Sequence, residues 1–271
     1  PLNKKAKEYI KQAAEIEFSK TKARNADGSI KEYYHGTNSG IFNEFDTNTI
    51  GSANDIGFFG KGFYFATHEG EARMYGQNII PAYLNAENPY YVEDLYKWNG
   101  KEVKDYEGDL SNTLFAVNFA KEFPEFKDSI VFKIYDEEGN PRDYSLDQFE
   151  KDLDNTVKNV KFTVRRETDY NGNTYYSVNA NKKTEDGYSW YEYSKDYADR
   201  KGANNKLLRA YHYLLETKYN DIFVKNPRDL IMDNDFSGSV QAKGYDSIFQ
   251  GRNGDEVVLF DSSQIKRSDV T

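Results

Sequence analysis

The clearest structural signal in the sequence comes from two blocks, Tyr34-His35-Gly36-Thr37 and, after a glycine-rich gap, Phe63-Tyr64-Phe65-Ala66. The residues from Ile30 to Tyr34 predict a strand that leads into His35, and the second block predicts another short strand. The glycines between Gly51 and Gly62 predict an irregular loop that connects the two. The sequence therefore indicates two strands joined by a loop, with a histidine and a tyrosine close to that loop.

A second tyrosine follows the second block. Tyr75 stands eleven residues after Tyr64, in a segment from Glu69 to Tyr75 that has the pattern of a short helix. A further strand is predicted from Ile79 to Leu84. Tyrosines eleven residues apart in one helix would share a face, and tyrosines from different elements can equally converge on one flat ligand. Either arrangement lets both rings line one site.

An acidic residue opens an apolar strand near the other end of the chain. The sequence Asp255-Glu256-Val257-Val258-Leu259-Phe260-Asp261 places a carboxylate directly before a run of apolar residues. Such a run predicts a buried strand. The carboxylate at its start would therefore lie at the end of a sheet and point into a cleft.

These three blocks, in this order, resemble the NAD-binding and catalytic elements of the ADP-ribosyltransferases built like diphtheria toxin and the poly(ADP-ribose) polymerases. That class is named for a His, a Tyr and a Glu, and it moves ADP-ribose from NAD to an acceptor. The resemblance implies an α+β fold with a split, mostly antiparallel sheet, peripheral helices and a large insertion. It also implies an NAD-dependent transferase whose donor substrate is NAD and which needs no metal.

The resemblance assigns the donor site to residues of the first two blocks and to the second tyrosine. It places His35 at the adenosine ribose, the main chain of Gly36 at the nicotinamide carboxamide, and Thr37 beside the dinucleotide. A glycine allows a planar amide to approach the main chain closely, and a neutral imidazole can bond a ribose hydroxyl. Tyr64 and Tyr75 would hold the cationic nicotinamide ring between two electron-rich faces, each worth about 0.5–2 kcal/mol.

Glu256 is the acid that the resemblance assigns to catalysis, together with His35 and Tyr64. Its carboxylate would bond the 2′-hydroxyl of the nicotinamide ribose and stabilise positive charge as the glycosidic bond breaks, as in glycoside hydrolysis. Asp255 is the competing assignment. The register favours Glu256, because the family's glutamate directly precedes an apolar strand that ends in an aromatic residue and an Asp, as Phe260-Asp261 does here.

Two positions depart from related enzymes. Ala72 occupies the NAD-binding position where the polymerases carry a serine, three residues before the second tyrosine. A hydroxyl bond to the carboxamide is therefore missing unless Thr67 or Glu71 replaces it. The arginine-modifying branch carries another glutamate two residues before the catalytic one, where this chain has Gly254. Arginine modification is therefore not favoured.

Composition and charge argue against several classes of site. Lys and Arg total 36 against 45 Asp and Glu, so the net charge is 36 − 45 = −9, which argues against indiscriminate binding to nucleic acid or anionic membrane. The chain has no cysteine, and its three histidines show no metal-ligand spacing. No apolar run approaches the roughly 20 residues of a membrane helix. We therefore expect no metal site and no membrane partner.

The three blocks divide the chain into a core and an insertion. We expect a single domain over residues 1–271, with a transferase core at about 30–93 and 243–271. An elaborating insertion would occupy about 94–242. An amphipathic helix precedes the core and ends before the turn at Asn25-Ala26-Asp27-Gly28.

Local signals predict the elements of the insertion. Helices are expected at Ser111–Phe123 and Asn204–Tyr219. Ser145-Leu146-Asp147-Gln148 has the form of a capping box that opens a further helix. A hairpin is expected from Val160 to Asn179, because Asn171-Gly172 is a strong turn signal between two strand-like runs. The basic residues of this hairpin could face nucleic acid, but a solvated face is favoured.

Two look-alike motifs do not fit their families. Residues 57–62 resemble a phosphate-binding loop, yet Lys61 is followed by Gly62 instead of Ser or Thr. Residues 233–238 begin like a calcium loop, yet the twelfth position is Gly244 where a bidentate Glu is required. Neither a nucleotide phosphate loop nor a calcium site is therefore predicted.

The resemblance favours a mono-ADP-ribosyltransferase that cleaves NAD at the nicotinamide–ribose bond and modifies a macromolecule. A protein acceptor is favoured over nucleic acid, although both stay open, as does a small molecule. Two other functions also stay open: an NAD glycohydrolase with water as acceptor, and a non-catalytic module that binds NAD or ADP-ribose. The intact Glu256 block argues against the binding module. Acceptor choice would lie in Asn38–Gly57 and in the insertion.

The start of the chain and the toxin-like motif set suggest a context. Because the sequence begins at Pro1 without Met, we expect a processed or excised piece of a longer protein. A secreted or delivered effector or toxin that acts in a cytoplasm, or a module of a phage or mobile-element polyprotein, fits this pattern by analogy. We expect a monomer.

Overall fold

The computed structural model of the protein describes most of the chain. Its residues are 2, 4–40, 42–50, 57–98, 101–102, 109–135, 138–184, 187–193, 210, 227–232, 235–251 and 253–270. The chain divides into two compact units, Pro1–Tyr96 with Arg228–Thr271, and Lys97–Pro227. We describe each unit by itself.

The described residues form six α-helices and fourteen strands. The helices are α1 (Lys4–Glu17), α2 (Glu69–Ala72), α3 (Asp109–Glu122), α4 (Leu146–Asn159), α5 (Pro227–Met232) and α6 (Phe236–Ala242). The strands are β1 (Glu32–Thr37), β2 (Phe63–Ala66), β3 (Asn78–Leu84), β4 (Pro89–Tyr91), β5 (Lys97–Trp98), β6 (Lys101–Glu102), β7 (Val131–Tyr135), β8 (Pro141–Ser145), β9 (Val160–Thr168), β10 (Thr174–Thr184), β11 (Gly187–Tyr193), β12 (Ser247–Gln250), β13 (Glu256–Leu259) and β14 (Ile265–Arg267).

A seven-stranded sheet forms the centre of the first unit. Its strand order is β14-β3-β1-β2-β13-β12-β4. Neighbouring strands are antiparallel except β12 and β4, which are parallel. The sheet and its helices confirm the predicted α+β class.

The sheet is split between β1 and β2. β1 pairs with β3 at six positions, from Glu32 with Tyr83 to Thr37 with Asn78, but with β2 only at Tyr34 and Ala66. Beyond that pair the two strands separate, whereas β2 stays paired with β13 along its whole length. The split implied by the family resemblance therefore lies beside His35.

The first strand differs from its prediction. β1 runs from Glu32 to Thr37, so His35 lies inside the strand and not after its end. Ile30 forms an isolated bridge with Arg24 instead of belonging to the strand. The strand continues past His35 because Gly36 and Thr37 find partners in β3. The predictions for β2 and β3 are confirmed.

The two faces of the sheet are covered differently. One, which we call the aromatic face, carries Phe63, Phe65 and Val257 and packs against the aromatic rings of Phe42 and Phe45. The other, which we call the α2 face, carries Tyr34, Ala66 and Glu256, since residues opposite each other on neighbouring strands share a face. The strand pattern therefore separates a buried aromatic side from the side on which α2 packs.

The predicted N-terminal helix is confirmed as α1. Its buried residues, Ile10 and Ala14, pack with Phe18 against Ile30 and Tyr83. These spacings of four residues form one apolar stripe of a helix. Packing against Tyr83 of β3 therefore holds the helix on the sheet.

The second unit contains most of the predicted insertion elements. α3 confirms the first predicted helix, and its buried Phe115 and Phe119 lie on one face at a spacing of four residues, with buried Phe123 directly after the helix. The capping box of α4 is confirmed, since the Ser145 main-chain N–H donates to Gln148 Oε1 at 2.9 Å and the Gln148 N–H donates to Ser145 Oγ at 3.3 Å. The predicted helix Asn204–Tyr219 lies outside the described residues, apart from residue 210.

A three-stranded antiparallel sheet, β9-β10-β11, completes the second unit. β9 and β10 form the predicted hairpin, paired from Thr168 with Thr174 to Val160 with Lys182. Gly172 has a φ of 85°, a left-handed conformation that glycine adopts readily. The turn signal at this position therefore predicted the hairpin, while the pairing of Thr168 with Thr174 fixed its register.

Candidate active site

Three neighbouring strands bring the predicted site residues together. Tyr34 on β1, Ala66 on β2 and Glu256 on β13 stand opposite one another in register. With neighbouring strands about 4.8 Å apart, Glu256 lies roughly 10 Å from β1 at this level. The His-Gly block and the catalytic acid candidate, 221 residues apart in sequence, therefore border the same strand.

His35 lies at the split and bonds across it. Its Nδ1 is 2.8 Å from the main-chain oxygen of Tyr64, and its ring contacts those of Phe45 and Phe65 at centroid distances of 5.2 and 5.5 Å. A carbonyl oxygen only accepts, so Nδ1 carries the proton in the neutral ring and Nε2 is an acceptor. Burial lowers the pKa of His35 below its ordinary 6.5, while the bond to Tyr64 acts in the opposite direction. The side chain is thus held as a neutral acceptor.

The lowered pKa of His35 makes a testable contribution to stability. As the pH falls below about 6.5, the unfolded chain takes up a proton at this position that the folded chain does not, so stability is lost towards acid pH. We expect wild type to lose more stability than His35→Gln between pH 7 and pH 5, by at most about 1.4 kcal/mol per pH unit. Urea unfolding of both proteins at the two pH values measures this difference. Equal losses would contradict it.

α2 and the turn after it lie directly against the main chain of β1. A Cβ atom on Gly36 would come within 1.8 Å of the Ala72 carbonyl oxygen, and one on Gly76 within 2.1 Å of the Thr37 carbonyl carbon. The helix can approach this closely only because both positions are glycine. The main chain at Ala72 and Gly76 therefore lies directly over Gly36 and Thr37 of β1.

The remaining candidates near α2 occupy distinct positions. Ala72 is buried and contributes to packing, and as an alanine it offers no hydroxyl to a ligand. Thr67 continues the pairing of β2 with β13, since its main-chain N–H donates to the Asp255 carbonyl oxygen at 3.2 Å. Glu71 is exposed on α2 and lies near enough to Glu256 to raise its pKa. Glu71 is thus the second acid of this site, a proximity that the sequence spacing did not reveal.

The two tyrosines have different surroundings. The Tyr64 hydroxyl donates to the Gly60 carbonyl oxygen at 2.6 Å and accepts from the Phe59 main-chain N–H at 2.9 Å. Tyr75 follows α2 and is 58% exposed. They come from different elements, which is one of the two arrangements expected from their spacing. Tyr64 is a fixed part of the sheet, whereas Tyr75 lies at the surface.

Glu256 is the first residue of β13 and is half-buried. Burial raises the pKa of Glu256 above its ordinary 4.5, and the Glu71 carboxylate raises it further. Within the described ranges, no hydrogen bond or ion pair engages the Glu256 carboxylate. Asp255, the competing candidate, is exposed in the turn before the strand. The environment of Glu256 suits an acid that meets a ligand.

His35 and Glu256 leave the sheet on opposite faces. Strand alternation directs Glu256 to the α2 face and His35 to the aromatic face, where its ring contacts lie. His35 still bonds the Tyr64 carbonyl oxygen because β1 and β2 separate there. A ligand that contacts both side chains must therefore lie in the split.

The sequence-based reasoning missed two glycines that shape this site. Gly76 is needed because any side chain would enter the main chain of Thr37, and Gly57 because a Cβ atom would come within 2.2 Å of the Tyr64 ring. The φ of Gly57 is 73°, which also favours glycine. The one available signal was the density of glycines beside each tyrosine.

Two structural findings and the comparisons bear on the class of protein. No cluster of three or more metal-ligating side chains occurs among the described residues, and no helix there is long and apolar enough to cross a membrane. No curated protein and no solved structure matches the chain significantly. A model of the family described as ADP-ribosyltransferase in polyvalent proteins matches residues 25–270. The family uses NAD as substrate. This match spans all three sequence blocks and the strands that bring them together, and the chain therefore belongs to the ADP-ribosyltransferases of polyvalent proteins.

Proposed function

We propose that the protein is a mono-ADP-ribosyltransferase that cleaves NAD at the nicotinamide–ribose bond and transfers ADP-ribose to a macromolecular acceptor. The observation that carries this proposal is the adjacency of β1, β2 and β13. It brings a neutral histidine, a fixed tyrosine and a half-buried glutamate to three neighbouring strands beside one split in the sheet.

In this proposal the split receives NAD in an extended form. His35 Nε2 accepts a hydrogen bond from a hydroxyl of the adenosine ribose, since its Nδ1 proton is already committed to Tyr64. The main chain of Gly36 and Thr37 holds the carboxamide, with Ala72 closing that side. The nicotinamide ring lies between Tyr64 and the exposed Tyr75, which closes over it from the surface.

Glu256 acts on the reacting carbon. As the glycosidic bond breaks, its electron pair leaves with nicotinamide and the ribose carbon gains positive charge. A carboxylate at this point bonds the ribose 2′-hydroxyl and stabilises that charge, and partial burial strengthens the interaction. The acceptor atom then forms the new bond to the same carbon and loses its proton.

Tyr75 provides a test of the nicotinamide clamp. Because its ring is 58% exposed, Tyr75→Ala should change the free energy of unfolding by no more than about 0.5 kcal/mol. It should weaken NAD binding by about 0.5–2 kcal/mol, or about twofold to thirtyfold in Kd. Calorimetry measures both quantities. Met74→Ala, at an adjacent position that is 81% exposed, is the control and should leave the Kd unchanged; equal effects of the two variants would contradict the clamp.

Nicotinamide release and label transfer test the proposed function. The protein is incubated with a cell lysate and biotinylated NAD, and the products are treated separately with protease and with nuclease. We expect nicotinamide release and a label that protease removes. Free ADP-ribose without a labelled macromolecule would make the protein an NAD glycohydrolase, and NAD binding without nicotinamide release would make it a binding module.

The acceptor and the setting complete the proposal. We propose a protein acceptor, recognised by residues 38–57 and by the insertion at 94–242 of a single domain. Membership of the polyvalent-protein family supports an effector role for a monomer that is delivered to a cytoplasm. A label that only nuclease removes would replace the protein acceptor with nucleic acid.

A further inference from the structure

The loop before β2 is built around the side chain of Tyr64. Phe59 donates its main-chain N–H to the Tyr64 hydroxyl at 2.9 Å, and that hydroxyl donates to the Gly60 carbonyl oxygen at 2.6 Å. The ring lies against Gly57, where a Cβ atom would be 2.2 Å from Cζ of the tyrosine. The hydroxyl therefore links the main chain of Phe59 and Gly60 within the loop from Gly57 to Gly62.

The other side of the same loop is packed against α6. Phe59 is completely buried, and its ring lies 6.2 Å from that of Phe236. A Cβ atom on Gly60 would lie 2.7 Å from the Ser237 hydroxyl oxygen. The loop thus lies between α6 on one side and the hydroxyl of Tyr64 on the other.

The main chain of Tyr64 has a separate task. Its carbonyl oxygen accepts the hydrogen bond from Nδ1 of His35 at 2.8 Å. One residue therefore orients the histidine through its main chain and the loop through its side chain. Both contacts start from β2, one from its main chain towards β1 and the other from its side chain towards the loop.

We propose that the Tyr64 hydroxyl is a positioning group that sets NAD affinity by holding the loop Gly57–Gly62 against the nicotinamide subsite. This inference rests on the proposed function. Two hydrogen bonds join the hydroxyl to the loop, so the hydroxyl is placed to position that loop. The Tyr64 ring lines the nicotinamide subsite, and the Tyr64 hydroxyl holds the loop next to that ring.

Tyr64→Phe separates the two roles, because it keeps the ring and removes both hydrogen bonds. We expect the KM for NAD to rise about tenfold, the usual scale for one buried donor and acceptor that lose their partner. We expect kcat to stay within about threefold, because the loop does not touch the reacting atoms. Amide hydrogen exchange in the peptide 57–62 should accelerate about tenfold. Tyr175→Phe, which removes the bond from another tyrosine hydroxyl to Glu167, is the matched control and should change none of these quantities.

A second variant reaches the loop without touching the hydroxyl. Gly57→Ala forces the loop away from the Tyr64 ring, and its positive φ adds strain. It should raise KM and accelerate exchange in the same peptide as Tyr64→Phe does. Agreement of the two variants supports the proposal.

The outcomes separate this inference from the proposed function. Unchanged exchange with a raised KM would mean that the hydroxyl acts on NAD directly, and faster exchange with an unchanged KM would mean that the loop lies outside the donor site. Either result overturns the inference. If the wild type releases no nicotinamide, the proposed function fails, and the Kd for NAD by calorimetry replaces KM in deciding the role of the hydroxyl.

Discussion

Glu256→Gln is expected to lower kcat for nicotinamide release about a hundredfold to thousandfold, while the Kd for NAD changes little. Glutamine keeps the size of the side chain and a hydrogen-bonding oxygen, but it removes the negative charge that stabilises the developing ribosyl cation. The loss is large because the carboxylate is half-buried and poorly screened by water. Steady-state release of nicotinamide and calorimetric titration with NAD measure the two quantities.

Asp255→Asn is the matched control for this prediction. It makes the same chemical change one residue earlier, at an exposed carboxylate, and should leave kcat within about threefold, since a screened charge contributes little. Because burial and Glu71 raise the pKa of Glu256, wild-type activity should also fall on the acid side at a pH above the ordinary 4.5 of a glutamate. A fully active Glu256→Gln, or an inactive Asp255→Asn, would move the catalytic role away from Glu256.

Gly36→Ala is expected to destabilise the protein by about 3 kcal/mol and to abolish NAD binding. The added methyl group would lie 1.8 Å from the carbonyl oxygen of Ala72 and 2.7 Å from its carbonyl carbon. Both atoms belong to the main chain, so no side chain can rotate away to make room. The helix α2 must shift, and Tyr75, which follows it, and the proposed carboxamide subsite shift with it.

Gly70→Ala is the control for the effect of the added methyl group. Gly70 lies in the same helix, and a Cβ atom there meets nothing within 4 Å. Replacement of an open helical glycine by alanine stabilises a helix by up to about 1 kcal/mol. Gly70→Ala should therefore keep or raise the free energy of unfolding and leave the Kd for NAD unchanged, whereas Gly36→Ala should lose both stability and binding. Chemical denaturation and NAD titration measure these quantities. Equal stability of both variants would contradict the close packing of α2 on β1.

Local chemistry made several elements predictable. The turn at Asn171-Gly172 indicated its hairpin because glycine adopts the left-handed backbone that the turn needs, and the Ser145–Gln148 spacing indicated the start of α4 because both side chains cap free N–H groups. The apolar run after Glu256 indicated its strand in the same way. Each of these signals depends on residues that are close in sequence, so it can be recognised without any tertiary information.

The environment of Tyr64 could not be inferred in this way. Its spacing from Tyr75 suggested a ring that stacks on a ligand, but the structure also attaches its hydroxyl to Phe59 and Gly60. The end of β1 was likewise misplaced, because Gly36 and Thr37 extend the strand only through their pairing with β3. Contacts with another part of the chain decided both features, and no local pattern encodes such contacts.

The sequence by its local patterns predicted β1 and β2, which are rich in aromatic residues, and β13, which begins with Glu256. The order of these motifs is that of an ADP-ribosyltransferase. Residue types at fixed spacings are sufficient for this, because strand and turn preferences are local. Three features follow from the folded arrangement and not from local patterns: β2 stands between β1 and β13, the sheet opens after the pair of Tyr34 and Ala66, and Glu71 lies near Glu256. These features arise from hydrogen bonding and packing between distant segments, where the free energy depends on which surfaces meet.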